Sequence, residues 1–164
     1  MSHTTPTALT TPDSIVAKLE GLGLALPTPP KPVAAYIPCR RVGNLLFIAG
    51  QIPMKDGQLI AKGSVPGMVS MEQAVACARQ CVLNGLAVIK GEIGSLDRVK
   101  QFVRLGVFVC SEAGFYEQPK VANGASELIV EVFGEKGKHA RAAVGSIALP
   151  LGAAVEVEFV VEVE

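Results

Sequence analysis

The stretch Val155-Glu-Val-Glu-Phe-Val-Val-Glu-Val163 alternates with period two. Val155, Val157, Phe159, Val161 and Val163 fall on one face, and Glu156, Glu158 and Glu162 on the other. Side chains alternate across a strand, so this segment has one face to bury and one to leave wet. A strand of this kind needs partner strands and a cover for its apolar face. Two segments with helical spacing supply the cover. Ser70 opens the first, with Gln73 placed to complete a capping box. Met71, Ala74, Val75, Ala78, Val82, Leu86 and Ile89 then form one apolar stripe, and the helix is predicted to end near Gly91 to Gly94. The second helix is predicted over Phe115 to Val132, with Pro119 near its start.

The remaining strands follow from apolar runs between turn residues. Tyr36 to Arg41 reads as a short strand, Val42-Gly-Asn44 as a tight turn, and Leu45 to Ala49 as a buried strand closed by Gly50-Gln-Ile-Pro53. Asp56-Gly57 is a turn before a short strand over Gln58 to Ala61. Val99 to Cys110 and Ala140 to Leu149 complete the set, the latter ending at Pro150. Strands joined mostly by hairpins, with two long helices among them, predict an α+β fold: a mixed sheet with both helices on one face. Residues 1–32 read as an N-terminal arm, a short helix capped by Asp13 or Ser14 and running to Leu22, and the Pro-rich connector Leu26 to Pro32. The body, 33–164, reads as one domain.

Composition narrows the function. The 164 residues carry 15 Lys+Arg and 15 Asp+Glu, so the net charge is zero. A general nucleic-acid binder needs an excess of cations to displace counterions from phosphates, and no basic block occurs. No apolar run reaches the roughly 20 residues of a membrane span. Met1 to Pro12 lacks the pattern of a signal peptide, so the expected location is the cytoplasm. Cys39, Cys77, Cys81 and Cys110 contain no CxxC, and the only histidines are His3 and His139. A Cys/His metal site is therefore not expected, and the cysteines read as buried reduced thiols.

Spacing nominates one group for chemistry. Arg141 opens an otherwise uncharged strand, and Glu156 and Glu158 lie on the next one. A hairpin between these strands would set a Glu beside Arg141. Such an arginine either clamps a ligand carboxylate with its planar fork or forms a surface ion pair. His139 reads as a solvated loop residue with a proton-transfer role left open by its titration range. Phe115 and Tyr116 read as packing residues.

Three motifs add a resemblance. Gly43-Asn44 with Ala49-Gly-Gln-Ile-Pro53, then Val121-Ala-Asn-Gly-Ala-Ser126, then Ala140-Arg-Ala-Ala-Val-Gly145 with Leu149-Pro150 and Val155-Glu-Val-Glu158, stand in one order. Together they resemble the RidA (YjgF) family, whose members are also called endoribonuclease L-PSP or translation initiation inhibitors. The chain is most similar to a sub-branch with a longer N-terminus. The resemblance covers about residues 33–164. It implies a chorismate-mutase-like fold of the bacillary type and a homotrimer whose sheets form a central barrel, with pockets at the three interfaces. It also implies hydrolytic deamination of 2-imino and 2-enamino acids to 2-oxo acids and ammonia, with no cofactor and no metal. By the same resemblance, Arg141 binds the substrate carboxylate and Glu156 orients the attacking water. Asn123, Tyr36, Ala49 and Gly50 line the pocket. Ala49 stands where the family often has Ser, and Ala143 where many members have Cys. Two other functions remain open: binding or sensing of small carboxylates without turnover and, less favoured by the neutral charge, an RNA-directed activity.

Overall fold

The computed structural model describes residues 12–29 and 35–164. The arm over residues 1–11 and the connector over residues 30–34 lie outside the described residues. In chain order the elements are α1 (Ser14–Gly21), β1 (Cys39–Val42), β2 (Leu45–Gln51), β3 (Met54–Lys55), β4 (Gln58–Leu59), α2 (Met71–Ile93), β5 (Val99–Cys110), α3 (Gln118–Phe133), β6 (Ala140–Ser146) and β7 (Val155–Val163). Five strands form a mixed sheet in the order β1-β2-β7-β5-β6, and β3 pairs with β4 in a small hairpin of its own. Only β5 and β6 run parallel.

The period-two segment is the central strand, β7. It pairs with β2 on one edge and β5 on the other, and Val155, Val157, Phe159, Val161 and Val163 are all buried. They meet α2, and α3 packs beside it over β5 and β6, so the two helices share one face of the sheet. The Ser70 hydroxyl accepts from the Gln73 amide at 3.2 Å, and the Gln73 side chain accepts from the Ser70 amide at 3.0 Å, so the expected capping box starts α2. Burial on α2 extends beyond the expected stripe, to Gln80, Asn84, Ala87 and Val88. Gln80 donates to Asn84, and Asn84 donates to the carbonyls of Ile52 and Met54, which ties the loop after β2 to the helix.

Asp13 caps α1, accepting from the amides of Ile15 and Val16. Its second oxygen accepts from the Leu96 amide at 2.7 Å, in the short turn that precedes β5. Asp97 of that turn accepts in return from the backbone of Ser14 and Ile15 and from the Ser14 hydroxyl. These bonds hold the Asp97 carboxyl below the usual carboxylate range. Leu19 of α1 is fully buried in the core.

Several boundaries differ from those expected. The first strand begins at Cys39, because Pro38 has no N–H to give to a ladder. The third helix begins at Gln118, with Pro119 in its first turn, where a missing N–H costs nothing. Phe115 packs against the core from the preceding turn, but Tyr116 is 85% exposed. The largest difference is the place of β6. The helix α3 carries the chain from β5 to a parallel neighbour, a crossover that a tight turn cannot make. Residues 147–154, which include a short turn at Pro150–Gly152, then carry it past β5 to β7. The expected hairpin between the last two strands therefore does not form, and β6 is an edge.

The two long helices meet at Gly124. A Cβ there would stand 2.6 Å from the carbonyl oxygen of Val75, a backbone atom with little room to yield. Gly124→Ala should destabilise the fold by about 1–3 kcal/mol in denaturant titrations, despite alanine's higher helix propensity. Gly91→Ala is the control: among the described residues its new Cβ would meet nothing nearer than Pro29 at 3.7 Å, so stability should hold or rise by about 0.5–1 kcal/mol.

Candidate active site

Arg141 lies opposite Leu105 in the parallel register of β5 and β6. Leu105 points into the core, so Arg141 lies on the helix-covered side of the sheet, at its edge. Its Nη1 donates to Asn123 Oδ1 at 2.9 Å and to Ser126 Oγ at 3.1 Å. Asn123 and Ser126 sit three residues apart on α3, hence on one side of the helix. Ser126 Oγ is also bonded to His139 Nε2 at 2.9 Å, and His139 Nδ1 is bonded to the carbonyl of Gly137. Burial lowers the His139 pKa from 6.5; the Gly137 carbonyl opposes that shift and the Arg141 charge adds to it. The neutral ring is thus favoured at pH 7. With Nδ1–H on the Gly137 carbonyl, Nε2 accepts the Ser126 hydroxyl proton. Among the described residues Arg141 has no carboxylate within 4 Å, and its side chain is exposed.

The second group lies on the other, open face. Glu156, opposite Phe108, folds over Gly50, where a Cβ would stand 1.8 Å from its Oε1. Gly50 falls where the register of β2 slips between Ile48 and Gln51. Such a bulge next to a glycine lets a neighbouring side chain lie against the backbone. Ala49 precedes it, its carbonyl bonded to the Gln51 side chain. Glu158 lies over Gly106 in the same way and pairs with Arg104 at 3.0 Å. Half-burial raises the Glu156 pKa above 4.5, and the Glu158 charge raises it further. A carboxyl displaced toward neutrality is a better proton carrier at physiological pH.

The expected site residues therefore fall into two groups. Asn123 and Arg141 come together; Gly50 and Glu156 come together, with Ala49 alongside. Arg141 and Glu156 of one chain do not meet. They flank β5 from opposite faces, offset by the three positions between Leu105 and Phe108, about 10 Å along the strand. The expected Glu beside Arg141 is overturned for the same reason: β5 intervenes, and Glu158 is engaged by Arg104 instead. Tyr36, ahead of β1, is 61% exposed and contributes to neither group. His139 is not a solvated loop residue but half-buried with two partners. Ser126, the last residue of the Val121–Ser126 motif, joins the group although no role was expected for it. Two signals pointed to these residues: Ser126 follows Asn123 by one helical turn, and His139 precedes Arg141 by two positions on the same side of an extended chain.

A family model described as YjgF/chorismate mutase-like matches residues 16–163. The chain belongs to the YjgF/RidA family.

Among its relatives, Protein TCP17 of Trypanosoma cruzi is 43% identical over 149 residues, covering 90% of this chain and 93% of that one. The crystal structure of Atu1372 from Agrobacterium tumefaciens superposes with a TM-score of 0.88 at 41% identity, over 93% of this chain and 94% of that one. A Dermatophagoides farinae relative named 2-iminobutanoate/2-iminopropanoate deaminase is 27% identical, over 86% of this chain and 95% of its own. The family membership covers both halves of the candidate site, since Gly50, Asn123, Arg141 and Glu156 all lie inside the matched span.

The raised pKa of Glu156 has a readable sign. An acid whose folded pKa lies above its unfolded value adds stability at low pH, and that contribution is lost as pH rises through the folded pKa. Glu156→Gln, which keeps the neutral form, should therefore gain stability over the parent at pH 8 and show little gain at pH 4 in denaturant midpoints. In Glu158→Gln, an NMR titration should find the Glu156 pKa lower than in the parent.

Proposed function

We propose that the protein hydrolyses 2-imino and 2-enamino acids to 2-oxo acids and ammonia. We further propose that it works as a homo-oligomer, a trimer by analogy with the family, in which the Arg141–Asn123 half-site of one protomer meets the Gly50–Glu156 half-site of the next. The observation that carries this reading is the state of Arg141. Its guanidinium is fixed at one nitrogen by Asn123 and Ser126, yet no carboxylate among the described residues neutralises it. A planar cation held this way suits a small carboxylate bound at two points. The name of the Dermatophagoides farinae relative supports the choice of substrate.

The assembly has independent support. Val42, Phe47, Val103 and Val144 stay 38–60% exposed on strands of the sheet, and Ile147 beyond β6 is 97% exposed. Such apolar surface fits contact with another protomer.

The chemistry then needs few groups. The iminium carbon is already electrophilic. Arg141 anchors the carboxylate, which fixes that carbon in front of a water held by Glu156. The water oxygen bonds to the carbon while the C=N π electrons move to nitrogen and Glu156 takes the water's proton. Glu156 returns that proton to nitrogen, the C–N bond breaks and its electrons leave with ammonia, while Glu156 takes the proton of the remaining hydroxyl, which becomes the ketone, and then releases it to water. An enamine first takes a proton at its β-carbon from the neutral form of Glu156 and becomes the iminium.

The test couples an amino-acid oxidase, which makes 2-iminobutanoate in place, to the purified protein and follows imine decay. The parent should accelerate decay. Arg141→Ala should lose at least about 100-fold in kcat/KM, the worth of roughly two charge-assisted hydrogen bonds. Light scattering should give the same oligomer for both. Full activity in Arg141→Ala overturns the mechanism; a monomeric parent overturns the shared site. An intact oligomer without turnover that still binds 2-oxobutanoate would mark a carboxylate-binding protein instead.

A further inference from the structure

We infer that Ser126 and His139 are positioning residues that pre-set the Arg141 guanidinium so that its side edge, Nε–H with Nη2–H, receives the substrate carboxylate. The inference rests on the reading of Arg141 as the carboxylate clamp. It goes beyond that reading by naming what holds the clamp and which edge of it is open.

An arginine on an exposed edge strand has a long, mobile side chain, and binding a ligand to it costs the rotamer freedom that is lost. Here that freedom is already restricted. Nη1 has two N–H groups, and both have acceptors: Asn123 Oδ1 at 2.9 Å and Ser126 Oγ at 3.1 Å. With Nη1 saturated, the edge shared by Nε and Nη2 is the one that still presents two parallel N–H groups. That edge matches the two oxygens of a carboxylate.

Ser126 holds Arg141 well only if its hydroxyl proton points elsewhere. His139 Nε2, 2.9 Å away, takes it. That role needs a neutral ring with its proton on Nδ1, and the Gly137 carbonyl bonded to Nδ1 selects that tautomer. The carbonyl is itself fixed, because Gly137 packs so tightly on α3 that a Cβ would stand 2.6 Å from the Ile129 oxygen. The donors then run in one direction: Arg141 to Ser126, Ser126 to His139, His139 to the Gly137 carbonyl. The chain of bonds joins β6, α3 and the loop between them, so the clamp is set by the tertiary fold and not by its own strand alone.

The experiment measures 2-oxobutanoate affinity by calorimetry and 2-iminobutanoate kinetics in the oxidase-coupled assay, for the parent and four variants. Ser126→Ala and His139→Phe should each weaken 2-oxobutanoate by about tenfold and raise KM by a similar factor, with kcat within about threefold of the parent. Ser126→Thr, which keeps the hydroxyl, should restore affinity to within about threefold. Arg141→Ala should lose binding altogether. If Arg141→Ala loses binding while Ser126→Ala binds like the parent, the clamp stands and the positioning role falls. If Ser126→Thr is as impaired as Ser126→Ala, the hydroxyl is not what matters and the positioning role also falls. A parent that binds no 2-oxobutanoate and turns over no imine overturns both readings. Should His139→Phe fail to fold, Ser126→Ala with its threonine partner decides the matter alone.

Discussion

The structure depends on a single strand having both edges paired. In β7 the backbone N–H and C=O groups bond to β2 on one side and β5 on the other, so no edge is left to water. Its apolar face, Val155 to Val163 at every second residue, lies under α2. Its acidic face then has one direction left, the open side of the sheet. Moving the pairing by one residue would bury three glutamates and expose four valines and a phenylalanine, a cost no local adjustment can offset. The position of Glu156 is thus fixed by the same alternation that builds the core.

A fixed β7 and a crossover from β5 together determine where the second half of the candidate site lies. Because α3 links β5 to a parallel neighbour, β6 has to lie on the free edge of β5, away from β7. Arg141 is then at a rim, facing the helix layer, while Glu156 lies on the opposite face nearer the middle of the sheet. Neither position is strained. A cation at a rim and an acid on an open face make poor partners within one chain, which is why the assembly proposed above joins them across two. The exposed valines and Phe47 on the strands around Glu156 fit the same arrangement.

Much of this was legible in the residues, for reasons that can be named. The β7 alternation, the Ser70–Gln73 capping box and the continuous run Leu45 to Ala49 are local signals, and local rules govern them. The fold class followed from their order; the family resemblance put Arg141, Asn123, Tyr36, Ala49, Gly50 and Glu156 in one pocket, with nothing to say which of them one chain brings together. Strand order did not follow, since adjacency in the sequence favours a β6–β7 hairpin and only the eight residues 147–154, too long for a tight turn, argue otherwise. Nor did the His139 environment follow. A histidine after Gly137-Lys138 looks solvated in a linear reading, and only the tight approach of Gly137 to α3 takes it out of water. The exposure of Tyr116 is likewise a matter of where the helix starts, which Pro119 moved three residues past the expected point.

The reciprocal aspartates Asp13 and Asp97 have a wider meaning. Asp13 serves the helix it caps and also the amide of Leu96; Asp97, in the turn that Ser95 caps, serves the amides of Ser14 and Ile15. Two chain segments about eighty residues apart in sequence thus finish each other's hydrogen bonding. Neither helix end can loosen without leaving the other with unpaired donors. With Leu19 wedged into the core behind it, α1 works as a keystone for the short turn that leads into β5 and not as an ornament on a finished domain. A shortened chain lacking that helix would begin with a wound in its core, and its instability would appear first at the entry to the longest strand of the sheet.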